Sequence, residues 1–263
     1  KMKICILVQN LFTLGGIQRV VTTILNELVK NSDFEVTVIM PFQMKGDKLF
    51  SLDEKVVLMA QEDFIEDRSH KPVRYLLAIN KRVGFLNNHL FTKFVEKIRF
   101  SEKEKSRYIK FFNEKEFDVI LGAGVEYSLL LGAISSEVEA KTVGWQHSTF
   151  GSYFEKRGSA GYGLQKYCKK MYSKLDAVWV LTNSDKKEFD SKFGLNCRVF
   201  YNPIPQNNNK MSIHEKGNLL FAGRLEIEHK GLDYLIDIMK SIKKEIPDSK
   251  LTIIGDGPAH NWM

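Results

Sequence analysis

Two basic residues and a glycine turn near the end of the sequence are the strongest candidates for chemistry. Arg224 follows the apolar run 219–222, Lys230 lies six residues later, and Gly255-Asp256-Gly257 follows a second apolar run at 251–254. Apolar residues recur at helical spacing between the runs, so this segment predicts a βαβ unit. Ligands of such units bind beyond the carboxyl ends of the strands, where two cations beside a helix N-terminus suit a phosphate or diphosphate. The alternative is that both cations are solvated surface charges.

A second candidate lies near the start of the sequence. Gly15 and Gly16 separate the apolar run 4–8 from a helical pattern that begins at Ile17. Paired glycines let the main chain approach a ligand closely, and the amides of the first helical turn point toward it. The pair is not part of Gly-x-Gly-x-x-Gly, which counts against a nicotinamide-dependent oxidoreductase. The alternative is a plain tight turn.

A third candidate is His147, two residues after a predicted strand at 141–145. A histidine at the carboxyl end of a strand is in the position where ligands of α/β proteins bind, although a structural histidine is the alternative. The sequence contains no Asp-x-Asp pair and no cluster of His and Cys at metal-ligand spacing. We therefore expect no metal site.

These candidates are carried by alternating strands and helices. Apolar runs predict strands at 4–8, 34–40, 56–59, 117–121, 141–145, 177–181 and 197–201. With helical patterns between most of them, residues 1–202 are predicted to form a doubly wound parallel sheet. Residues 203–217 contain two prolines and three successive Asn, as in an interdomain linker. Residues 218–263 then begin a second, smaller α/β unit.

The composition is that of an ordinary globular protein. The 263 residues are 43% hydrophobic and 27% charged. No apolar run approaches the roughly 20 residues that span a bilayer, and the first apolar run is too short for a signal peptide. Three cysteines, an odd number without metal spacing, argue against a disulfide framework. We expect a cytoplasmic protein.

Residues 68–110 concentrate positive charge. They contain twelve Lys or Arg and three Glu, so their net charge of +9 exceeds the +7 of the whole chain. Aromatic and aliphatic residues are interleaved with these charges. The region could lie on the inner face of an anionic membrane, or it could form ordinary amphipathic helices whose apolar sides pack inward. Binding of a nucleic acid is supported by the positive charge alone, so we expect no nucleic-acid partner.

With these residues in place, the sequence resembles the family 4 retaining glycosyltransferases of the GT-B fold, which have two Rossmann-like domains facing each other across a cleft. The resemblance spans nearly the whole chain. It is carried by residues 221–225 with Lys230-Gly231, by residues 251–258, by Gly15-Gly16 and by residues 201–204. The implied fold is a complete N-terminal Rossmann-like domain, which binds the acceptor, followed by a partial nucleotide-sugar-binding domain.

The resemblance implies a nucleotide-sugar donor, with a UDP-sugar expected first, and neither a cofactor nor a metal. The residues that match donor-binding positions are Gly15, Gly16, Arg224, Lys230, Gly255 and Gly257. The resemblance implies catalytic roles for Arg224 and Lys230. It also implies one for His147, which matches a family histidine that lies near the donor sugar and the acceptor. Negative charge grows on the leaving diphosphate as the bond to the anomeric carbon breaks. Fixed cations and amides therefore stabilise the transition state more than the ground state.

The resemblance also implies a hexosyl transfer that retains anomeric configuration, with the diphosphate helping to deprotonate the acceptor. Together with the basic region, it suggests a lipid-linked saccharide acceptor in bacterial surface polysaccharide or glycolipid synthesis. The family carries two glutamates, seven residues apart, further along the second domain. Since the sequence ends at Met263, we expect a truncated chain that is inactive or nearly so alone. The alternative is a non-catalytic GT-B-like subunit that binds a sugar nucleotide or a partner.

Overall fold

A computed structural model describes residues 1–40, 50–60, 64, 72–204 and 217–262, with backbone only at residues 72–74 and 229. The chain divides into two compact units, Lys1–Pro205 and Gln206–Met263. The division falls within the predicted linker 203–217, most of which lies outside the described residues. The domain limits taken from the sequence therefore stay predictions.

The first unit is built on a seven-stranded sheet in the order β3-β2-β1-β4-β5-β6-β7. Its strands are β1 (Met2–Leu7), β2 (Phe34–Met40), β3 (Val57–Ala60), β4 (Val119–Ala123), β5 (Lys141–Trp145), β6 (Ala177–Val180) and β7 (Arg198–Val199). Every neighbouring pair is parallel. The carboxyl ends of β1, β4 and β5 therefore meet at one edge of the sheet, as the alternating pattern predicts.

Helices cover both faces of this sheet. They are α1 (Gly16–Leu28), α2 (Pro72–Val83), α3 (Thr92–Arg99), α4 (Glu102–Lys115), α5 (Val125–Ile134), α6 (Gln165–Tyr172) and α7 (Asn183–Phe193). On one face Val21 and Leu25 of α1 share an apolar cluster with Ile6 of β1. Cys5 of β1 points to the opposite cluster, with α5 and α6, because successive side chains of a strand face opposite sides.

The second unit contains β8 (Asn218–Ala222), α8 (Ile227–Lys230), α9 (Leu232–Glu245) and β9 (Lys250–Ile254). The two strands pair in parallel, which confirms the predicted strand–helix–strand arrangement. Leu225, Leu232 and Ala259 form its buried apolar cluster among the described residues. In the described parts of both units, every helix is too short or too polar to cross a bilayer.

Candidate functional site

The glycine pair stands at the start of α1, just beyond the carboxyl end of β1. Gly15 is the N-cap, and no side chain caps the helix. The first turn contains no acidic residue, and a Cβ atom added at Gly16 would meet nothing within 4 Å. The first turn of α1 thus has neither a side-chain cap nor an acidic residue that would repel an anion.

The loop before α1 is held by Gln18, which sequence reasoning missed. Its Nε2 donates to the Asn10 carbonyl oxygen and to Thr13 Oγ1, both at 3.0 Å. The Phe12 amide donates to Asn10 Oδ1 at 2.8 Å. Polar residues at 10, 13 and 18 were the available signal, but nothing in their spacing indicates that they bond to one another.

His147 follows β5 at the same edge of the sheet. Its ring centroid lies 4.3 Å from that of Trp145, and its backbone amide donates to the Tyr153 hydroxyl at 3.2 Å. Both ring nitrogens are buried, and neither has a hydrogen-bond partner in the structure. Burial lowers the pKa of His147 to about 4. At neutral pH the ring is thus uncharged, with one donor nitrogen and one acceptor nitrogen.

Gln146 anchors the segment that carries His147, and sequence reasoning missed it as well. Its fully buried amide donates from Nε2 to Ser128 Oγ at 2.8 Å and accepts from the Tyr172 hydroxyl at 2.9 Å. The Ser128 hydroxyl donates in turn to the Gly124 carbonyl at 2.7 Å. This network ties the end of β5 to α5 and α6, so the backbone at His147 is held in one conformation.

Glu126 lies in the first turn of α5, next to the same edge. The other residues of α5 are all buried, whereas the Glu126 side chain is 53% exposed and forms an ion pair with the buried guanidinium of Arg99. Burial disfavours the charged form of Arg99, but the attraction of Glu126 outweighs it and raises the pKa of Arg99. The pair thus presents a half-exposed carboxylate in the first turn of α5, two residues after Gly124.

The two candidate cations of the second unit are on its surface. Arg224 follows β8, Lys230 ends α8, and both are exposed. Neither forms an ion pair with any residue that the structure describes. Gly231 connects α8 directly to α9 with φ 62°, a conformation that glycine adopts without strain. This junction keeps Lys230 close to the start of α9.

Gly255 and Gly257 have a structural role that the sequence did not reveal. A Cβ atom at Gly255 would lie 1.8 Å from the Gly223 carbonyl oxygen, and one at Gly257 would lie 2.4 Å from that of Leu225. The Leu225 amide donates to the Asp256 carbonyl at 2.9 Å. The turn after β9 is therefore packed, backbone against backbone, on the segment that carries Arg224. Its glycines are required for this approach whether or not they bind a ligand.

Within each unit, the predicted residues gather at the carboxyl ends of the strands. In the first unit the glycine pair and His147 follow β1 and β5, which flank β4, so their strands are roughly 10 Å apart. In the second unit Arg224 is brought next to the turn at Gly255–Gly257. Among the described residues, no three His, Cys, Asp or Glu side chains form a group that could hold a metal ion.

The basic region 68–110 needs a correction. Arg99 and Lys105 are both buried; Arg99 pairs with Glu126, and Lys105 with Glu96 and Glu102. These two charges support the packing of α3 and α4 and do not contribute to a basic surface. Arg68 and Lys71 lie outside the described residues.

Comparison with known proteins relates the chain to enzymes that transfer sugars. Residues 216–263 match the family model described as "Glycosyl transferases group 1". An uncharacterized glycosyltransferase of Haemophilus influenzae is 24% identical over 260 residues, covering 97% of this chain and 62% of that protein. The chain thus spans less than two thirds of this relative.

Solved structures extend the similarity to both units. TarM of S. aureus, in complex with fondaparinux, α-GlcNAc-glycerol and UDP, aligns with a TM-score of 0.66 at 14% identity, over 100% of this chain and 74% of that chain. The lipopolysaccharide outer core galactosyltransferase WaaB aligns with a TM-score of 0.56 at 14% identity, over 99% and 70%.

An α-glucosyltransferase in complex with UDP-glucose and DNA also aligns, with a TM-score of 0.50 at 13% identity, over 97% of this chain and 57% of that chain. The fold alone therefore does not exclude a nucleic-acid partner. What these structures share with the chain is its architecture, an α/β fold of the GT-B type, as the sequence predicts.

Proposed function

We propose that this protein is a glycosyltransferase that moves a hexosyl group from a nucleotide-diphosphate sugar to a lipid-linked saccharide. The donor that we propose first is a UDP-sugar. The observation that carries the proposal is the pair of exposed cations, Arg224 and Lys230, without ion-pair partners in the described chain. They lie in the segment that matches the glycosyl transferase family model. UDP is bound in the TarM structure, which supports a uridine nucleotide.

In the proposed reaction, Arg224 and Lys230 bind the diphosphate and stabilise the negative charge that grows on it as the glycosidic bond breaks. The uncapped first turn of α1 supplies amides for an anionic or hydroxyl group of the bound substrates. The cations meet the charge of the leaving group, so we propose that transfer needs no metal and that a chelator leaves the rate unchanged. Retention of anomeric configuration, typical of family 4, is part of the same proposal.

The first unit is proposed to bind the acceptor. His147 is uncharged and has two unused ring nitrogens, so it can hydrogen-bond a sugar hydroxyl without attracting the diphosphate away from the cations. Glu126 offers a carboxylate that Arg99 holds in place, and carboxylates accept hydrogen bonds from sugar hydroxyls. The lipopolysaccharide galactosyltransferase among the structural neighbours supports a surface-glycan acceptor.

Calorimetric titration of the 263-residue chain with UDP, GDP and ADP tests the donor site. We expect one nucleotide to bind, and the double variant Arg224→Ala/Lys230→Ala to bind it at least roughly a hundredfold more weakly, since each charge-assisted contact contributes about 1.5–3 kcal/mol.

The matched control removes two positive charges at the opposite edge of the same unit, in the double variant Lys244→Ala/Lys250→Ala. Lys250 begins β9 and Lys244 lies in the last turn of α9, so neither is near the carboxyl ends of the strands. Its affinity is expected to match that of the wild type. Binding of none of the nucleotides, or an equal loss in the control, contradicts the proposed donor site.

A further inference from the structure

Helix α2 is apolar on two sides. Leu76 and Leu77 pack against the core cluster of the first unit. Tyr75, Ile79 and Val83, spaced four residues apart, are 70%, 55% and 70% exposed. Residues at this spacing lie along one face of a helix, so α2 presents a second apolar stripe to solvent. Folding of the unit does not require this outward stripe.

Exposed apolar residues also follow α2 in the sequence. Phe85 is exposed in the turn that follows, and Leu90, in the 3₁₀ turn before α3, is 86% exposed. Phe91 and Phe94 are exposed as well. Scattered exposed apolar residues are normal in soluble proteins, but seven of them within residues 75–94 are a concentration typical of an interaction surface.

The same segment carries positive charge. Arg82, Lys93 and Lys97 are exposed, and Lys93 and Lys97 are one helical turn apart beside Phe94. The acidic residue in the segment 75–97 is Glu96, whose side chain is only 18% exposed and pairs with Lys105. The outward side of the segment is thus apolar and cationic at once.

We propose that this docking surface, formed by the exposed side chains of residues 75–97, binds an anionic lipid bilayer. The apolar side chains would enter the headgroup region while the cations meet the lipid phosphates. A second copy of the chain would bring the same positive charges against it, which disfavours self-association. A nucleic acid would pair with the cations but leave the apolar stripes in water.

The docking surface is joined by hydrogen bonds to the candidate site. The Gly158 amide donates to the Lys81 carbonyl of α2 at 3.1 Å, and the Gly161 amide donates to the Tyr153 carbonyl at 3.0 Å. Tyr153 in turn accepts a hydrogen bond from the His147 amide. The segment 153–161 thus links α2 to the backbone at His147, so docking of α2 and recognition of a lipid-linked acceptor by His147 would act together. This last step rests on the proposed function, whereas docking itself does not.

Co-sedimentation with vesicles tests the proposal without donor or acceptor, so it can fail independently of glycosyl transfer. Vesicles of phosphatidylcholine alone are compared with vesicles that contain an equal part of phosphatidylglycerol. We expect binding to the anionic vesicles and little to the neutral ones. The triple variant Arg82→Ala/Lys93→Ala/Lys97→Ala is expected to bind roughly a hundredfold more weakly, at about fivefold for each charge.

The double variant Ile79→Ser/Leu90→Ser tests the apolar part of the docking surface. It is expected to weaken binding at least roughly tenfold, because two aliphatic side chains that would be buried in the bilayer are lost. Its matched control is Tyr234→Ser/Ile238→Ser, which removes two exposed apolar residues of α9 and is expected to bind as the wild type does. Equal binding to neutral vesicles overturns the proposal. So does a wild-type dimer that Ile79→Ser/Leu90→Ser converts to a monomer, since the surface would then bind a second copy.

Discussion

At the carboxyl end of β5, both ring nitrogens of His147 are buried without a hydrogen-bond partner in the described chain. Its ring lies against Trp145, and the indole nitrogen of Trp145 is buried and unpartnered too. Buried polar groups are almost always paired in folded proteins. These two neighbouring side chains are therefore exceptions to that rule, and they lie at the sheet edge where the sequence predicts the site.

The depressed pKa of His147 makes stability depend on pH. Because the folded-state pKa is about 4 and the unfolded value is about 6.5, the unfolded chain binds a proton first as the pH falls. His147 therefore lowers the free energy of unfolding as the pH falls from about 6.5 to 4 and contributes no further change below that. We predict that His147→Gln reduces this loss, as measured by urea unfolding across the range.

Carboxylates also titrate in this window, so the difference between two variants isolates the histidine. His89 is exposed at the surface, and His89→Gln supplies the matched control variant. If His147→Gln and His89→Gln give the same pH dependence, His147 is not held uncharged by its surroundings.

At the scale of elements, continuous apolar runs were the most informative pattern. The strands predicted at 34–40 and 141–145 match β2 and β5 residue for residue. Both lie inside a parallel sheet, where most side chains of a strand are buried, so apolar residues dominate although Glu35 and Lys141 are exposed. The start of α1 was predictable from a different pattern, because apolar residues begin to recur at helical spacing directly after the glycine pair.

Contacts between segments that are distant in the sequence could not be predicted from such local patterns. Gln146 and Ser128 are 18 residues apart and meet only after α5 has packed on the sheet. The buried Arg99 looked like one more surface charge until α3 was placed beside Glu126. Even a local signal is ambiguous: Thr182 caps α7 through a bond from the Asp185 amide, although the adjacent Asn183 and Ser184 are common N-cap residues as well. Neighbouring residues compete for one N-cap position, and tertiary packing decides among them.

The turn after β9 illustrates how one element fixes another. The Gly257→Ala variant would bring a Cβ atom within 2.4 Å of the Leu225 carbonyl oxygen, so the turn must move away from the segment that carries Arg224. We predict a loss of about 1–3 kcal/mol, as for other overpacked sites. The urea dependence of amide hydrogen exchange in β9 measures this loss for the second unit alone.

Gly223→Ala is the matched control in the same segment. Its Cβ atom would meet the Phe221 ring at 3.5 Å, an ordinary van der Waals distance, so exchange in β9 is expected to change little. If both variants have the same effect, the close backbone approach at Gly257 does not limit stability.

For the molecule as a whole, the two units differ in how much apolar surface they bury. In the first unit, β4 and β5 are almost fully buried between two large clusters. In the second, the described buried cluster consists of three residues, and every residue of β8 and β9 is exposed or half-buried. Since stability follows buried apolar area, the second unit should unfold first.

Hydrogen exchange followed by mass spectrometry tests this order in the intact chain. We predict that amides of β8 and β9 exchange at a temperature at which β4 and β5 remain protected, because local opening requires less energy where fewer apolar contacts are lost. Binding of a nucleotide should slow exchange in the second unit, since a ligand that binds only the folded form stabilises it by mass action. Equal protection of all four strands would mean that the chain unfolds as one cooperative body despite the unequal burial.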